Sequence, residues 1–301
     1  MRLLAASEPP WICETGLFSG YCMTLLHAIL LGLVQGLTEF LPVSSTAHLT
    51  LVENLLLKQS MPLAYDVLLH VGTLAALAVY FRKDLAKMVR GIFGGDPEGQ
   101  RMVLLLIIAM VPTGVFALLT RHWKELAKGH LWLYGVFLLV TAGMLFVANT
   151  TAKRRNGRDL SQINGWDALA VGAIQGLGGG FGLSRSGSTI CVGVFRGLQL
   201  PASARFSFLL GMPTIALAAL YEGKKVVMPL LRHQPLPPEL AFPAGSISPT
   251  LACAVGVVVA GLSGYAAIGL LDRFTRQPRL HGFAAYCVLA GLAVLVLGLR
   301  G

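Results

Sequence analysis

Two stretches of this chain, 140 residues apart, read as imperfect copies of each other, and each lodges polar residues in a strongly apolar background. The first runs Gly32-Leu33-Val34-Gln35-Gly36-Leu37-Thr38-Glu39-Phe40-Leu41-Pro42-Val43-Ser44-Ser45-Thr46-Ala47-His48. The second runs Gly172-Ala173-Ile174-Gln175-Gly176-Leu177-Gly178-Gly179-Gly180-Phe181-Gly182-Leu183-Ser184-Arg185-Ser186-Gly187-Ser188. Without a gap, Gly32, Gln35, Gly36, Leu37 and Ser44 fall on Gly172, Gln175, Gly176, Leu177 and Ser184. A duplicated half with polar groups at membrane depth points to a pseudo-symmetric membrane protein whose site lies where the repeats meet. The copies have diverged in chemistry: one carries a carboxylate and an imidazole, the other a guanidinium.

A mean hydropathy of +0.69, with 55% hydrophobic and 13% charged residues, excludes an ordinary soluble domain. Crossing a bilayer takes roughly 20 apolar residues per helix. Segments 66–82, 102–120, 131–149, 203–221, 249–271 and 281–299 meet that requirement. The net charge of +10 fits basic loops beside membrane spans. No basic run alternates with aromatics, so nucleic acid is not an expected partner. Cys13, Cys22, Cys191, Cys253 and Cys287 lack metal-binding or CxxC spacing and read as free thiols. Glu8-Pro9-Pro10 and Glu14 interrupt any signal-peptide core.

The repeat stretches are not simple crossing helices. Pro42 has no amide hydrogen, so a helix containing Glu39 should stop near it, and Ser44 can cap a new helix through His48. In the second copy Gly178-Gly179-Gly180 and Gly182 make the break, with Ser184 as the matching cap. Each copy therefore reads as a re-entrant hairpin, which is tolerated at membrane depth only inside protein or beside a wet cavity. Three crossings separate the hairpins, so the second enters from the opposite face. The expected fold is an all-α integral membrane protein, an inverted repeat of two halves. Each half is a re-entrant helix-loop-helix hairpin plus three transmembrane helices. Residues 1–22 form an N-terminal extension, 23–150 the first repeat and 151–301 the second.

Loops 83–101, 150–165 and 272–280 carry eleven Lys and Arg: Lys83, Lys87, Arg90, Arg101, Lys153, Arg154, Arg155, Arg158, Arg273, Arg276 and Arg279. Loops 58–65, 121–130 and 222–248 carry seven: Lys58, Arg121, Lys124, Lys128, Lys224, Lys225 and Arg232. The first group is expected in the cytoplasm, with both termini outside.

Gln35 and Glu39, four apart, share a helix face, as do Ser45 and His48, three apart. The bend turns these faces toward each other. A carboxylate in a bilayer must be paired, hydrogen-bonded or metal-bound; the bland reading of Glu39 is buried helix glue. Ser184-Arg185-Ser186-Gly187-Ser188-Thr189 offers hydroxyls, a guanidinium and the amides of a helix start, together an anion cradle. Its bland reading is a basic loop end at the membrane surface. A carboxylate and imidazole facing a guanidinium and hydroxyls suggest hydrolysis of a phosphate ester or anhydride.

The stretches 35–48 and 184–189 resemble the two signatures of the undecaprenyl-diphosphate phosphatases, the bacitracin-resistance family, and the resemblance runs from about residue 22 onward. It implies an integral-membrane enzyme that removes the terminal phosphate of undecaprenyl diphosphate, recycling the cell-wall lipid carrier and giving bacitracin resistance. It also implies the bacterial inner membrane, a site facing the periplasm, homodimers and a divalent cation, magnesium or calcium. Carried over, Glu39, Ser45, His48 and Arg185 are the catalytic positions, with Glu39 also the metal ligand. Gln35, Ser44, Thr46, Ser184, Ser186, Ser188 and Thr189 are the expected substrate-binding residues. Members usually have Pro-Gly where Phe181-Gly182 stands, and Thr-Gly-His where Thr46-Ala47-His48 stands. The first departure puts the second bend in doubt; neither removes a reactive group.

Two nucleophiles stay open: Ser45 activated by His48, or a water activated by Glu39 or His48. The rival function is a transporter or flippase for a polyprenyl phosphate lipid, because broken helices in inverted repeats are chiefly a transporter design. The acid-phosphatase-related lipid phosphatases would need a second His after the Ser-Arg motif, and none lies between Arg185 and Arg232. His27, His70, His122, His130, His233 and His281 are read as surface or packing residues, and Asp66 as a helix cap.

Overall fold

The computed structural model describes residues 24–57, 61, 63–127, 130–154, 156–178, 182–232 and 248–300. The expected N-terminal extension (with Cys13 and Cys22), Gly179, Gly180, Phe181, Lys58, Lys128, Arg155 and His233 lie outside these residues. Every extended element among them is helical. In chain order these are α1 (Leu25–Phe40), α2 (Ser45–Leu51), α3 (Leu63–Tyr80), α4 (Arg82–Ile92), α5 (Pro97–Leu119) and α6 (Arg121–Ala127). There follow α7 (Leu131–Arg154), α8 (Gly165–Gly178), α9 (Arg185–Phe195), α10 (Leu200–Leu231), α11 (Pro249–Arg276) and α12 (His281–Arg300). A π-helical turn (Val52–Leu57) extends α2, and a short 3-10 turn (Leu160–Gln162) precedes α8.

The helix ends follow local chemistry. A residue before proline is pushed out of the helical region; Leu41, before Pro42, is extended at φ −67° and ψ 144°, and α1 stops at Phe40. Ser44 caps α2, its Oγ accepting from Ala47 N at 3.4 Å, and Ser184 caps α9, accepting from Gly187 N at 3.1 Å. With 16 and 14 residues, α1 and α8 fall short of the roughly 20 that cross hydrocarbon.

All six expected crossing segments are helical. Five (α5, α7, α10, α11, α12) are long and apolar enough to cross a membrane alone, and α3 with α4, bent by 79°, makes a sixth candidate. The chain is thus an all-helical protein fitted to a membrane. Exposed Leu104, Ile107, Val111, Leu118, Val258, Leu262 and Leu289 give these helices an apolar outer surface. The expected loop 83–101 is instead α4 and the start of α5. Asp96 explains that correction, capping α5 through Gly99 N at 2.9 Å, with Pro97 at the first helical position.

Part of the helix packing is matched between the halves. α1 lies against α11 and α8 against α5, while α7 packs on α12 and α3 on α10. In both copies a glycine permits the approach: a Cβ at Gly36 would meet Ser263 and the Ala260 carbonyl, and one at Gly176 would meet the Thr113 carbonyl. Small residues allow close packing where lipid removes the hydrophobic drive between helices. The hydroxyls match as well. Ser263 Oγ donates to Gly32 O at 3.3 Å, and Thr113 Oγ1 donates to Gly172 O at 2.9 Å.

The α8–α9 hairpin closes at its open end. Arg158 grips buried Asp167 at the start of α8 through two bonds of 2.7 and 2.9 Å, and Arg196, just past α9, reaches Asp167 at 3.2 Å. Phe40, Phe208 and Phe81 form a buried aromatic cluster, edge-to-face in the first pair and tilted in the second, with ring centroids 5.9 Å apart in each. Phe81 and Phe208 also border a groove lined by Arg82, Lys83, Asp84, Arg205, Asp272 and Arg276.

Candidate active site

The two hairpin turns touch. Ser186 Oγ donates to Leu41 O at 3.2 Å, and a Cβ on Gly187 would stand 3.2 Å from Pro42. Each turn also leans on the α7–α12 pair: Cys287 Sγ on α12 donates to Pro42 O at 3.4 Å, while Ser184 N donates to Thr141 Oγ1 on α7 at 3.3 Å. Gly182, at φ +91°, adopts a backbone that side chains disfavour, and a Cβ there would strike the Tyr134 ring.

Where the turns meet, the first helical residue of each points at one carboxylate. Ser45 and Arg185 occupy the same register position, 140 residues apart. Ser45 Oγ donates to Glu39 Oε2 at 2.7 Å, and Arg185 Nη2 donates to Glu39 Oε1 at 2.7 Å. Gln35 Nε2 adds a third donor, 3.1 Å from Glu39 Oε2. Glu39 is only 7% exposed, and a carboxylate that buried is tolerable because it is paired and hydrogen-bonded. The cluster borders a cavity of about 270 Å³ lined by Thr38, Glu39, Ser44, Ser45, Thr46, His70, Leu183, Ser184, Arg185, Thr214, Ile215 and Ala218.

The expected site residues divide into two groups. Glu39, Ser45, Arg185 and Gln35 come together, and Ser44, Thr46 and Ser184 line the same cavity. Ser186, Ser188 and Thr189 do not line it, a correction to the four-hydroxyl cradle. Ser188 Oγ donates to Arg185 O at 3.1 Å and Thr189 Oγ1 to the same oxygen at 2.7 Å. Hydroxyls in a first helical turn find carbonyls one turn back, and Thr189 Oγ1 also meets Ser207 Oγ on α10.

His48 is also absent from the cavity lining. Its ring turns back along α2, with Nδ1 2.8 Å from Ser44 O, and outward to Tyr286 Oη, 2.6 Å from Nε2. The expected Ser45–His48 pair is replaced by a Ser45–Glu39 pair.

His70 takes a place the sequence reading denied it. It lines the cavity from α3, its Nε2 3.9 Å from Glu39 Oε2. Its Nδ1 donates to Asp66 O at 2.8 Å and lies 3.6 Å from Asp66 Oδ1. Asp66 therefore stands within the first turn of α3 as the partner of His70, and does not cap the helix. The available signal was an Asp and a His four apart inside an apolar span, where ionisable groups are functional by default.

Among the described residues no group of three or more His, Cys, Asp or Glu could hold a metal ion. The oxygen donors at the cluster are the Glu39 carboxylate and Gln35 Oε1, which is buried without a hydrogen-bond partner. Such a set suits a hard cation that keeps most of its ligands on a phosphate, since magnesium is commonly held by one or two carboxylates plus substrate oxygens.

Fold and cavity together define a multi-helix integral membrane protein with a buried polar site at the contact of two helix-breaking turns. Residues 28–293 match the family described as bacitracin resistance protein BacA, and the chain belongs to that family. It is 42% identical over 273 residues to an undecaprenyl-diphosphatase of Syntrophotalea carbinolica, covering 89% of this chain and 97% of that one. An undecaprenyl-diphosphatase of Desulfosudis oleivorans is 37% identical, covering 92% and 100% of the two chains. One of Geobacter sulfurreducens is 38% identical, covering 91% and 98%.

Proposed function

We propose that this protein is an integral-membrane phosphatase that hydrolyses undecaprenyl diphosphate to undecaprenyl phosphate and inorganic phosphate, recycling the lipid carrier of cell-wall synthesis. The observation that carries the reading is one buried carboxylate, Glu39, holding a hydroxyl and a guanidinium at 2.7 Å each beside a small polar cavity. Gripping a phosphate needs the guanidinium alone. A hydroxyl already donating to a carboxylate is the added part that hydrolysis needs and transport does not.

The chemistry follows from these contacts. An arriving diphosphate competes with Glu39 for Arg185, which can engage two phosphate oxygens and offset the charge that builds on them. Ser45 Oγ attacks the terminal phosphorus in line with the bridging oxygen, giving its proton to Glu39 Oε2. The bond from that phosphorus to the bridging oxygen breaks, undecaprenyl phosphate leaves, and water hydrolyses the phosphoserine. Thr46, Ser44 and Ser184 bind the phosphate oxygens at the cavity wall. Glu39 and Gln35 would hold a magnesium or calcium ion, which would supply charge neutralisation for the diphosphate.

The repeats, 23–150 and 151–301, are inverted in this reading, supported by the exchange of packing partners between the halves. The site faces the periplasm of a bacterial inner membrane. In support, His70 and Ala218 line the cavity, while Arg82, Lys83, Arg205 and Arg276 line a separate groove. The proposed homodimer would appear on crosslinking in native membranes.

The test is release of inorganic phosphate from undecaprenyl diphosphate by the purified protein in detergent, with and without a chelator. Release that the chelator suppresses supports the reading. Its absence in both conditions ends the reading, since a transporter needs two compartments and a hydrolase does not.

A further inference from the structure

Among the described residues Ser44 is the one non-glycine with positive φ, at 71°. Its counterpart Ser184 has an ordinary φ of −61°. A positive φ on a residue other than glycine is strained and persists only where its surroundings impose it. Here the strain falls on the residue that aims Ser45.

Two hydrogen bonds from one residue converge on it. The Ser44 carbonyl accepts from His48 Nδ1 at 2.8 Å as well as from His48 N at 3.3 Å. A carbonyl oxygen only accepts, so Nδ1 carries the ring hydrogen and Nε2 of the neutral ring is an acceptor. Tyr286 Oη, 2.6 Å away, then donates to Nε2. The two rings also stack, with centroids 5.6 Å apart and planes at 14°. His48 is held at both nitrogens and across one face, and neither nitrogen points to Ser45.

We propose that Tyr286, on α12, is a positioning residue for the reaction at Ser45. Its hydroxyl and ring fix His48, His48 fixes the Ser44 carbonyl, and the strained turn that results presents Ser45 Oγ to Glu39 and the cavity. His48 acts through the backbone, and proton transfer from Ser45 belongs to Glu39. The inference rests on the phosphatase reading and deepens it. The second copy needs no such device, because its turn is unstrained and Ser188 stands where His48 would.

The test uses the purified full chain in detergent. Tyr286→Phe keeps the ring and removes one hydrogen bond; it should lower kcat for phosphate release about tenfold, leaving KM within about twofold. Tyr286→Leu, which also loses the stack, should lower kcat further. His48→Ala should lower it most, and His48→Ala with Tyr286→Phe should match His48→Ala alone, because the tyrosine acts only through the histidine. Losses that multiply in the double variant, or a Tyr286→Phe enzyme equal to wild type, would overturn the proposal. A second readout does not depend on turnover. In 15N-histidine spectra the His48 signal, assigned by its loss in His48→Ala, should report an Nδ1–H ring with a hydrogen-bonded Nε2, and Tyr286→Phe should shift Nε2. An unshifted signal rejects the clamp. Absent phosphate release in wild type rejects the phosphatase reading instead.

Discussion

The two hairpins share a register and a fold but divide the labour. The first, α1–α2, breaks at Pro42, carries its acid on the incoming helix and its hydroxyl on the outgoing one, and is strained at Ser44. The second, α8–α9, supplies one charged side chain to the cavity, turns Ser188 and Thr189 back onto its own first turn and uses Ser186 to hold the first hairpin at Leu41. Their glutamines differ in the same sense. Gln35 donates to Glu39, whereas Gln175 donates to Thr113 Oγ1 at 3.3 Å and Thr214 Oγ1 at 2.9 Å. The two turns match in register, but in the proposed reaction one is reactive and the other a holder.

The hardest test of that division is Arg185→Ala, which should cost about 3 kcal/mol or more of transition-state stabilisation, some 100-fold in kcat/KM. Near-normal turnover would remove the second hairpin from the chemistry. Ser45→Ala should abolish trapping of labelled phosphate on the protein, and a fully active variant would end the serine route. Next, Gln35→Ala should lower turnover about tenfold, whereas Gln175→Ala should leave turnover intact and cost about 1–2 kcal/mol of thermal stability through two lost hydrogen bonds. Reversed effects would mean the copies are assigned the wrong way round. The smallest expected contrast lies at the caps. Ser184→Ala should cost about 1 kcal/mol of stability, the usual value of a helix cap. At Ser44, Gly should be tolerated better than Ala, because glycine accepts a positive φ.

Much of this was legible in the chain. Pro42 announced the end of α1, Ser44 and Ser184 announced the caps, and apolar length announced the five helices long enough to cross and the bent sixth candidate. Glu39, Ser45 and Arg185 converge as the duplicated register implied. The misreadings share one cause, which is contact across the fold. Helical spacing puts Ser45 and His48 on one face, but it cannot say that Tyr286, 238 residues further on, takes the histidine away from the cavity. Nor can it say that α3 packs where His70 reaches Glu39, or that buried Ser188 and Thr189 turn back to the carbonyl of Arg185. Side-chain direction depends on which helices lie alongside, and local sequence does not record that.

The cavity takes its walls from both hairpins and from α3 and α10. A reaction centre assembled from elements so far apart in the chain exists only once the whole bundle has folded, so a fragment holding either half alone would lack it.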